Sequence, residues 1–442
     1  MTIFRATVLD TPGALGDGLR ADEDCAIVVH DGVVVARTDP ATARGAYPGD
    51  DVVDLRDGIL LPGLVDTHVH FPQVRIIGGL GMSLLTWLRD RALPEEARLA
   101  DTEYARGVAR DFLRCLVGSG TTTALVFGSH FAGAVDALFA EAEHTGLRLT
   151  SGMVLSDRIL RPELLQTPEA ALAAGQTLAE RWHGRGRLRY AVTPRFSLST
   201  TAEMLAVCAE LMGDPAEGRL FTSHLNENQE EVAEVLGLFP GSRHYVDTYD
   251  RHGLVTERSV LAHNVHPTDH ELEVLGAAGA TIAHCPSSNA ALGSGLFPLR
   301  RHLDAGVRVA LGSDVGAGTG FCLLKEGLQA YFVQQLLGAR GYPLTAADLL
   351  HLATRSGATA LGLGDEVGDL SPGRQFDAVW VRPQPGGTLR TVLPHAADPT
   401  DALGRLISLG SPADISAVWV GGQQIHTPRP VPVGGASPQE AS

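Results

Sequence analysis

A chain of 442 residues with 35 Lys plus Arg against 51 Asp plus Glu carries a formal charge of −16, a sign that repels phosphate backbones and anionic lipid and argues against a nucleic-acid polymer or membrane surface as partner. The length admits two or three domains, although one α/β barrel alone takes about 250 residues. Five scattered cysteines (Cys25, Cys115, Cys208, Cys285 and Cys322) form no Cys-x-x-Cys pair, and neither a leader-like apolar run nor a stretch of ~18 apolar residues is present, so a soluble cytoplasmic protein is expected.

In chain order, residues 1–61 read as short strands broken by turns, CAIVVHDGVVVA with its Asp31-Gly32 hairpin signal and then DVVDLRDGILLPG. Residues 62–367 alternate strand-like apolar runs with helical stretches. The runs are GLVDTHVH, TTTALVFG, LRLTSGMVLS, LRYAVTPRFS, LFTSHLNEN, SVLAHNVH, ATIAHCPSS and VRVALGSD. Eight βα units predict an α/β fold of the (β/α)8 TIM-barrel type. A doubly wound open sheet would carry a Gly-rich phosphate turn after its first strand, and LVDTHVHFPQ has none. Strand texture returns over 368–428 with FDAVWVRP and ISAVWVGGQQIH, so the two ends are expected to build one small β-sandwich domain. The Pro/Gly/Ser-rich residues 429–442 are expected to be a flexible tail.

Barrel enzymes carry their reactive side chains at the C-terminal ends of the strands. Here the first strand ends in His68 and His70, whose spacing of two sends both rings to the same side. The fifth carries His224, the sixth His263 and the eighth Asp314. Imidazoles with one carboxylate suit zinc, or iron(II), with a position left for water; such a metal lowers the pKa of its water from 15.7 to ≈ 7 in favourable cases. One His-x-His pair alone reads more readily as hydrogen-bonded core. Recurrence at successive strand ends is what points to a metal.

The segments PGLVDTHVH, SHLNE, AHNVH and LGSDVGAG resemble, in order, the metal-site motifs of the amidohydrolase superfamily, and SPGRQFDAVWV with AVWVGGQQI resembles its C-terminal strands, so the likeness spans nearly the whole chain. It implies a barrel flanked by a composite β-sandwich. Members with two metals bridge them through a carboxylated lysine on the fourth strand, whereas this chain has TPRFSLS there, and Lys325, its only lysine, lies beyond the eighth. The resemblance therefore implies one metal, held by His68, His70, His224 and Asp314, as in the superfamily's purine and pyrimidine deaminases. It places His263 beside the metal's water as a hydrogen-bonding group, Glu227 as proton shuttle, and Asp314 as a further proton acceptor. The plainer reading of Glu227 is a solvated acid at a helix start.

HVHFPQ and TPRFSLS resemble the deaminases of this superfamily that act on guanine. In them the residues matching Gln73, Arg195 and Phe196 line the base pocket, next to the positions of His224 and Glu227, and Trp87 in LLTWLRD adds to the likeness. Guanine offers O6 and N7 as acceptors, which a guanidinium fork matches, so Arg195 is the expected reader of O6, with Gln73 on a second edge and Phe196 on the ring face. The plainer readings are Arg195 as the partner of a structural acid, Phe196 and Trp87 as packing, and His284 and Cys285 as pocket wall. Asn226 and Asn264 depart from the superfamily's commoner wording and leave room for an aminotriazine of the ammeline type, cytosine or an adenosine-type amine as substrate. A catalytically inactive structural member would be expected to lose metal ligands. The resemblance also implies a homodimer.

Overall fold

The computed structural model describes residues 1–427; the tail expected at 429–442 lies outside the described residues. Four strands open the chain: β1 (Thr2–Asp10), β2 (Arg20–His30), β3 (Val33–Thr38) and β4 (Asp51–Pro62). Between β2 and β3 the two turn residues Asp31 and Gly32 have φ of 48° and 80°. A two-residue hairpin needs left-handed backbone at both positions, and Asp-Gly supplies it at low cost.

The barrel follows as β5 (Leu64–His70), β6 (Thr121–Phe127), β7 (Arg148–Gly152), β8 (Val154–Leu155), β9 (Leu188–Pro194), β10 (Leu220–Leu225), β11 (Ser259–His263), β12 (Thr281–His284) and β13 (Arg308–Leu311). Every neighbouring pair is parallel, in the order β5-β6-β7-β9-β10-β11-β12-β13. All eight expected runs are strands; the third is interrupted at Met153, and its short continuation β8 pairs with β9. The ring closes where the Asp314 amide donates to the His68 carbonyl (2.8 Å) and Thr67 Oγ1 to the Leu311 carbonyl (2.8 Å). Every residue of β5 and β6 is buried, as befits strands with side chains in the barrel on one face and helices on the other. The helix Thr102–Gly118 shows how the outer layer is specified. Asp101 caps it by accepting from the Glu103 and Tyr104 amides (2.9 and 3.2 Å), and Ala105, Val108, Ala109, Phe112 and Leu116 form its buried stripe.

The chain ends return as β14 (Ala378–Val381), β15 (Ile415–Val420) and β16 (Gln423–His426), giving one mixed sheet in the order β16-β15-β14-β4-β1-β2-β3. In a flat sheet, β1 and β15 would lie about 14 Å apart, three spacings of ~4.8 Å. Yet the Phe4 ring on β1 stands 5.4 Å from Trp419 on β15 and 4.4 Å from Phe376. The sheet is therefore curled until its halves face each other over these aromatics, Val8 and Ile27. Buried Arg148 of β7 joins barrel and sheet, its Nε donating to Asp377 Oδ2 at 2.6 Å.

Candidate metal centre and base pocket

Pleating sends His68 and His70 of β5 to the same side. The Nε2 atoms of these two rings lie 3.2 Å apart, that of His224 is 3.3 Å from His70, and Asp314 Oδ1 is 3.4 Å from His68 Nε2 and 3.2 Å from His70 Nε2. Donors about 2.0–2.1 Å from a tetrahedral zinc stand roughly 3.3–3.4 Å from one another. The four expected ligand atoms thus already hold four of the six edges of such a shell. His68, His224, His263 and Asp314 also lie within 4.8 Å of one another. His263 is the looser member, its Nε2 being 3.8 Å from Asp314 Oδ2 and 3.4 Å from Glu227 Oε2.

The outer ring nitrogens fix how these imidazoles point. His224 Nδ1 donates to the Arg195 carbonyl (2.6 Å) and His263 Nδ1 to Asn289 Oδ1 (2.9 Å), which directs Nε2 of each into the cluster. Burial keeps His68 neutral, its pKa pulled down to about 4, and holds His224 well below the usual histidine range. Burial pushes Asp314 up, but hydrogen bonds from His68 and His70 outweigh it and leave its carboxyl well below the usual range. Neutral imidazoles and an ionised carboxylate are the forms that bind a cation.

His263, Asn264, Asp314 and Asn226 all have left-handed backbone, with φ of 72°, 46°, 48° and 47°. Non-glycine residues in this region store strain, which clusters at functional sites. Asparagine tolerates it better than most. Asn226 Nδ2 donates to Asn264 Oδ1 (2.9 Å), and the Asn264 amide to the Leu225 carbonyl (2.7 Å). The two asparagines thus lock the rim of β10 to that of β11.

Glu227 is buried, not solvated, at 3% exposure. Beyond His263, its carboxylate meets Ser294 Oγ at 3.4 Å. Burial, followed by the charge of Asp314, pushes its pKa well above the ordinary carboxylate range, which suits a group that must both take and give a proton.

Beside the cluster is a pocket whose lining includes His70, Gln73, Trp87, Arg195, Phe196 and Glu227. All the residues expected to touch the base therefore meet in one place, joined by Leu84, Leu88, Leu292 and Ala317. Arg195 is indeed paired with a buried acid, its guanidinium donating to Glu96 Oε2 at 2.6 Å, and it faces the pocket as well. Gln73 Nε2 donates to Glu96 Oε1 (2.7 Å), while Gln73 Oε1 accepts from the Gly316 amide (3.1 Å). Glu96 was not legible in the sequence, where LPEEARL reads as the polar face of a helix. The same holds for the orienting role of Asn289. His284 is stacked on Phe297 at 4.1 Å and, with Cys285, lies outside the pocket lining. Lys325 is spent on the Ser408 carbonyl (2.8 Å), away from the cluster.

A model of the amidohydrolase family matches residues 59–425. The chain belongs to the amidohydrolase family. Among amidohydrolases it is similar to the probable guanine deaminase of Deinococcus radiodurans, 59% identical over 430 residues that span 96% of this chain and 98% of the relative. In structure it is similar to the guanine deaminase of E. coli, with a TM-score of 0.93 and 36% identity over 97% of this chain and 100% of that one. It is similar too to the guanine deaminase of C. acetobutylicum with guanine bound in the active site, with a TM-score of 0.89 and 28% identity over 96% of this chain and 100% of that one.

Proposed function

We propose that this amidohydrolase is a guanine deaminase, converting guanine and water to xanthine and ammonia. The observation that carries the reading is the meeting, in one pocket, of the donors of Arg195 and Gln73 with the carboxyl of Glu227 and the His/Asp cluster. The 59% identity to a relative bearing that name over nearly its full length supports it.

His68, His70, His224 and Asp314 would hold one divalent ion, zinc by their donor chemistry and iron(II) as the alternative. When bound, that ion acts as a Lewis acid that makes water nucleophilic near neutral pH. The protein's own groups do the rest. Arg195 donates to O6, Gln73 holds a second polar edge, and Phe196 and Trp87 pack on the ring, so that C2 faces the cluster. Glu227 takes one of the water's protons as its oxygen bonds to C2 and passes it to the neighbouring ring nitrogen; the second, released as the new C2 hydroxyl becomes a carbonyl, goes through Glu227 to the amine, which leaves as ammonia as the C2–N bond breaks. His263 hydrogen-bonds the attacking water through Nε2, and Asp314 assists by accepting the second of the water's protons before it reaches the amine.

Purified, metal-loaded protein incubated with guanine is expected to release ammonia and xanthine, and faster than it releases ammonia from cytosine, adenine or ammeline. Turnover of one of these amines without turnover of guanine would overturn the assignment. We further infer, from the scattered cysteines and the family resemblance, a cytoplasmic homodimer. Among the described residues no helix is long and apolar enough to cross a membrane.

A further inference from the structure

Glu96 does not line the pocket, yet both side chains expected to read the base are tied to it. Its two oxygens are divided between them, Oε1 accepting from Gln73 and Oε2 from Arg195. It is 2% exposed, Gln73 1% and Arg195 3%. Burial at this depth makes each of these bonds a constraint, because an unpaired partner would be stranded away from water.

The chemistry at either end of Gln73 leaves one orientation of its amide. A carboxylate can only accept and a backbone amide can only donate. With Nε2 on Glu96 and Oε1 on the Gly316 amide, a 180° flip would set two acceptors together at one end and two donors at the other. One N–H of Gln73 remains for the pocket. The Arg195 side chain makes a single hydrogen bond among the described residues, to Glu96 through Nη1, so its other donors remain as well. His130 Nδ1, 3.4 Å from Glu96 Oε2, closes the far side of the carboxylate.

Local backbone explains why Glu96 and not Glu95 has this place. Leu84 and Leu88 face the pocket on the helical segment that starts at Leu84. In a regular α-helix the residue seven positions after Leu88 would return to that face, and it is Glu95. Residues Leu88–Ala92 form a π-turn instead, in which the Leu93 amide reaches the Leu88 carbonyl. The extra residue in the turn shifts the face by one position, to Glu96. Glu95 is turned to Tyr104 and Arg98.

We infer that Glu96 is the positioning residue of the base pocket: by holding Gln73 and Arg195 together it fixes both as donors toward the base, and so selects a ring edge made of acceptors. This rests on the reading of the pocket as a site for guanine, and it adds the group that sets the pocket's polarity. It also accounts for a cation being used to read a neutral base, since the Arg195 charge is balanced from behind by a carboxylate the base never meets.

The test is steady-state kinetics of Glu96→Gln, Glu96→Asp and Glu95→Gln, with metal content and melting temperature measured alongside. Glu96→Gln keeps the shape but puts a donor toward Gln73, which favours the flipped amide. It is expected to raise KM for guanine at least ten-fold, with kcat within about three-fold and the metal retained. Glu96→Asp keeps the charge but reaches only one partner at full strength, so its KM is expected between wild type and Glu96→Gln; it also gives the readout if Glu96→Gln does not fold. Glu95→Gln is expected to leave KM within two-fold. A KM within two-fold of wild type in the Glu96 variants, or a loss confined to kcat, overturns the inference. If wild type turns over another amine and not guanine, the assignment of substrate fails, and the KM for that amine then decides the role of Glu96 separately.

Discussion

His70 Nε2 and His224 Nε2 stand 3.3 Å apart, on strands β5 and β10 from opposite parts of the barrel. With His68 Nε2 only 3.2 Å from His70 as well, three ring nitrogens converge, and one shared proton satisfies only one of these contacts. A cation satisfies all of them. Chelation is therefore expected to abolish turnover, to be reversed by zinc or iron(II), and to lower the melting temperature by several degrees, since a ligand at 1,000-fold its Kd adds about 4 kcal/mol. Calorimetry with and without chelator checks this; an unchanged melt refutes the cluster as a metal site.

Glu227→Gln keeps the volume and the bond to Ser294 but removes the carboxyl proposed to take and give the proton. The expected result is unchanged metal content, with kcat lowered by about 10²–10⁴. Near-normal turnover would remove Glu227 from the mechanism.

Arg195→Met has two separable effects. The lost hydrogen bond to the base is expected to raise KM for guanine about ten-fold or more, a charge-assisted bond contributing about 1.5–3 kcal/mol. The Glu96 carboxylate is left buried without its cation, for which the typical destabilisation is about 3–5 kcal/mol. A variant that melts like wild type would show that Glu96 does not depend on Arg195, and one with unchanged KM would refute the contact with O6.

Glu326, buried in the helix Leu323–Leu336, accepts from the Ser287 amide at 3.0 Å, and burial pushes its pKa up to about 8. A carboxyl raised in the folded state stabilises the fold fully below its ordinary value of 4.5, and this contribution is lost as pH rises through about 8. Glu326→Gln removes the titration and retains a carbonyl for Ser287. The melting temperature of the variant relative to wild type is expected to climb between pH 5 and about pH 8.5, by an amount worth a few kcal/mol at most. A difference independent of pH would refute it.

The barrel strands were legible because buried parallel strands are short apolar runs between helices, and His68, His70, His224, His263 and Asp314 were legible because each ends such a run. The interruption at Met153 was not, since its one mark in LRLTSGMVLS is Gly152, and a glycine in a strand can as well signal a close backbone approach. Glu96 escaped for a sharper reason. Its face depends on the π-turn at Leu88–Ala92, and a reading by regular helical period would have singled out Glu95. Asn289 directly follows the run ATIAHCPSS, but its hold on His263 depends on how β11 and β12 sit side by side. The curl that brings Phe4 onto Trp419 is likewise a property of the closed sheet and leaves no local pattern.

The seam between β5 and Asp314 has a bearing on the order in which the molecule is assembled. Asp66, two residues before His68, accepts from the amide of Ser313, 247 positions along the chain, and Asp314, the proposed fourth ligand, comes next. A nascent chain therefore displays His68 and His70 early but cannot complete the ion's shell until the eighth strand has left the ribosome and joined the first. The curled sheet waits longer still, because β14 must lie against β4. With the proposed ligand set, metal capture belongs to the last stage of folding, and an incomplete chain offers only part of a site.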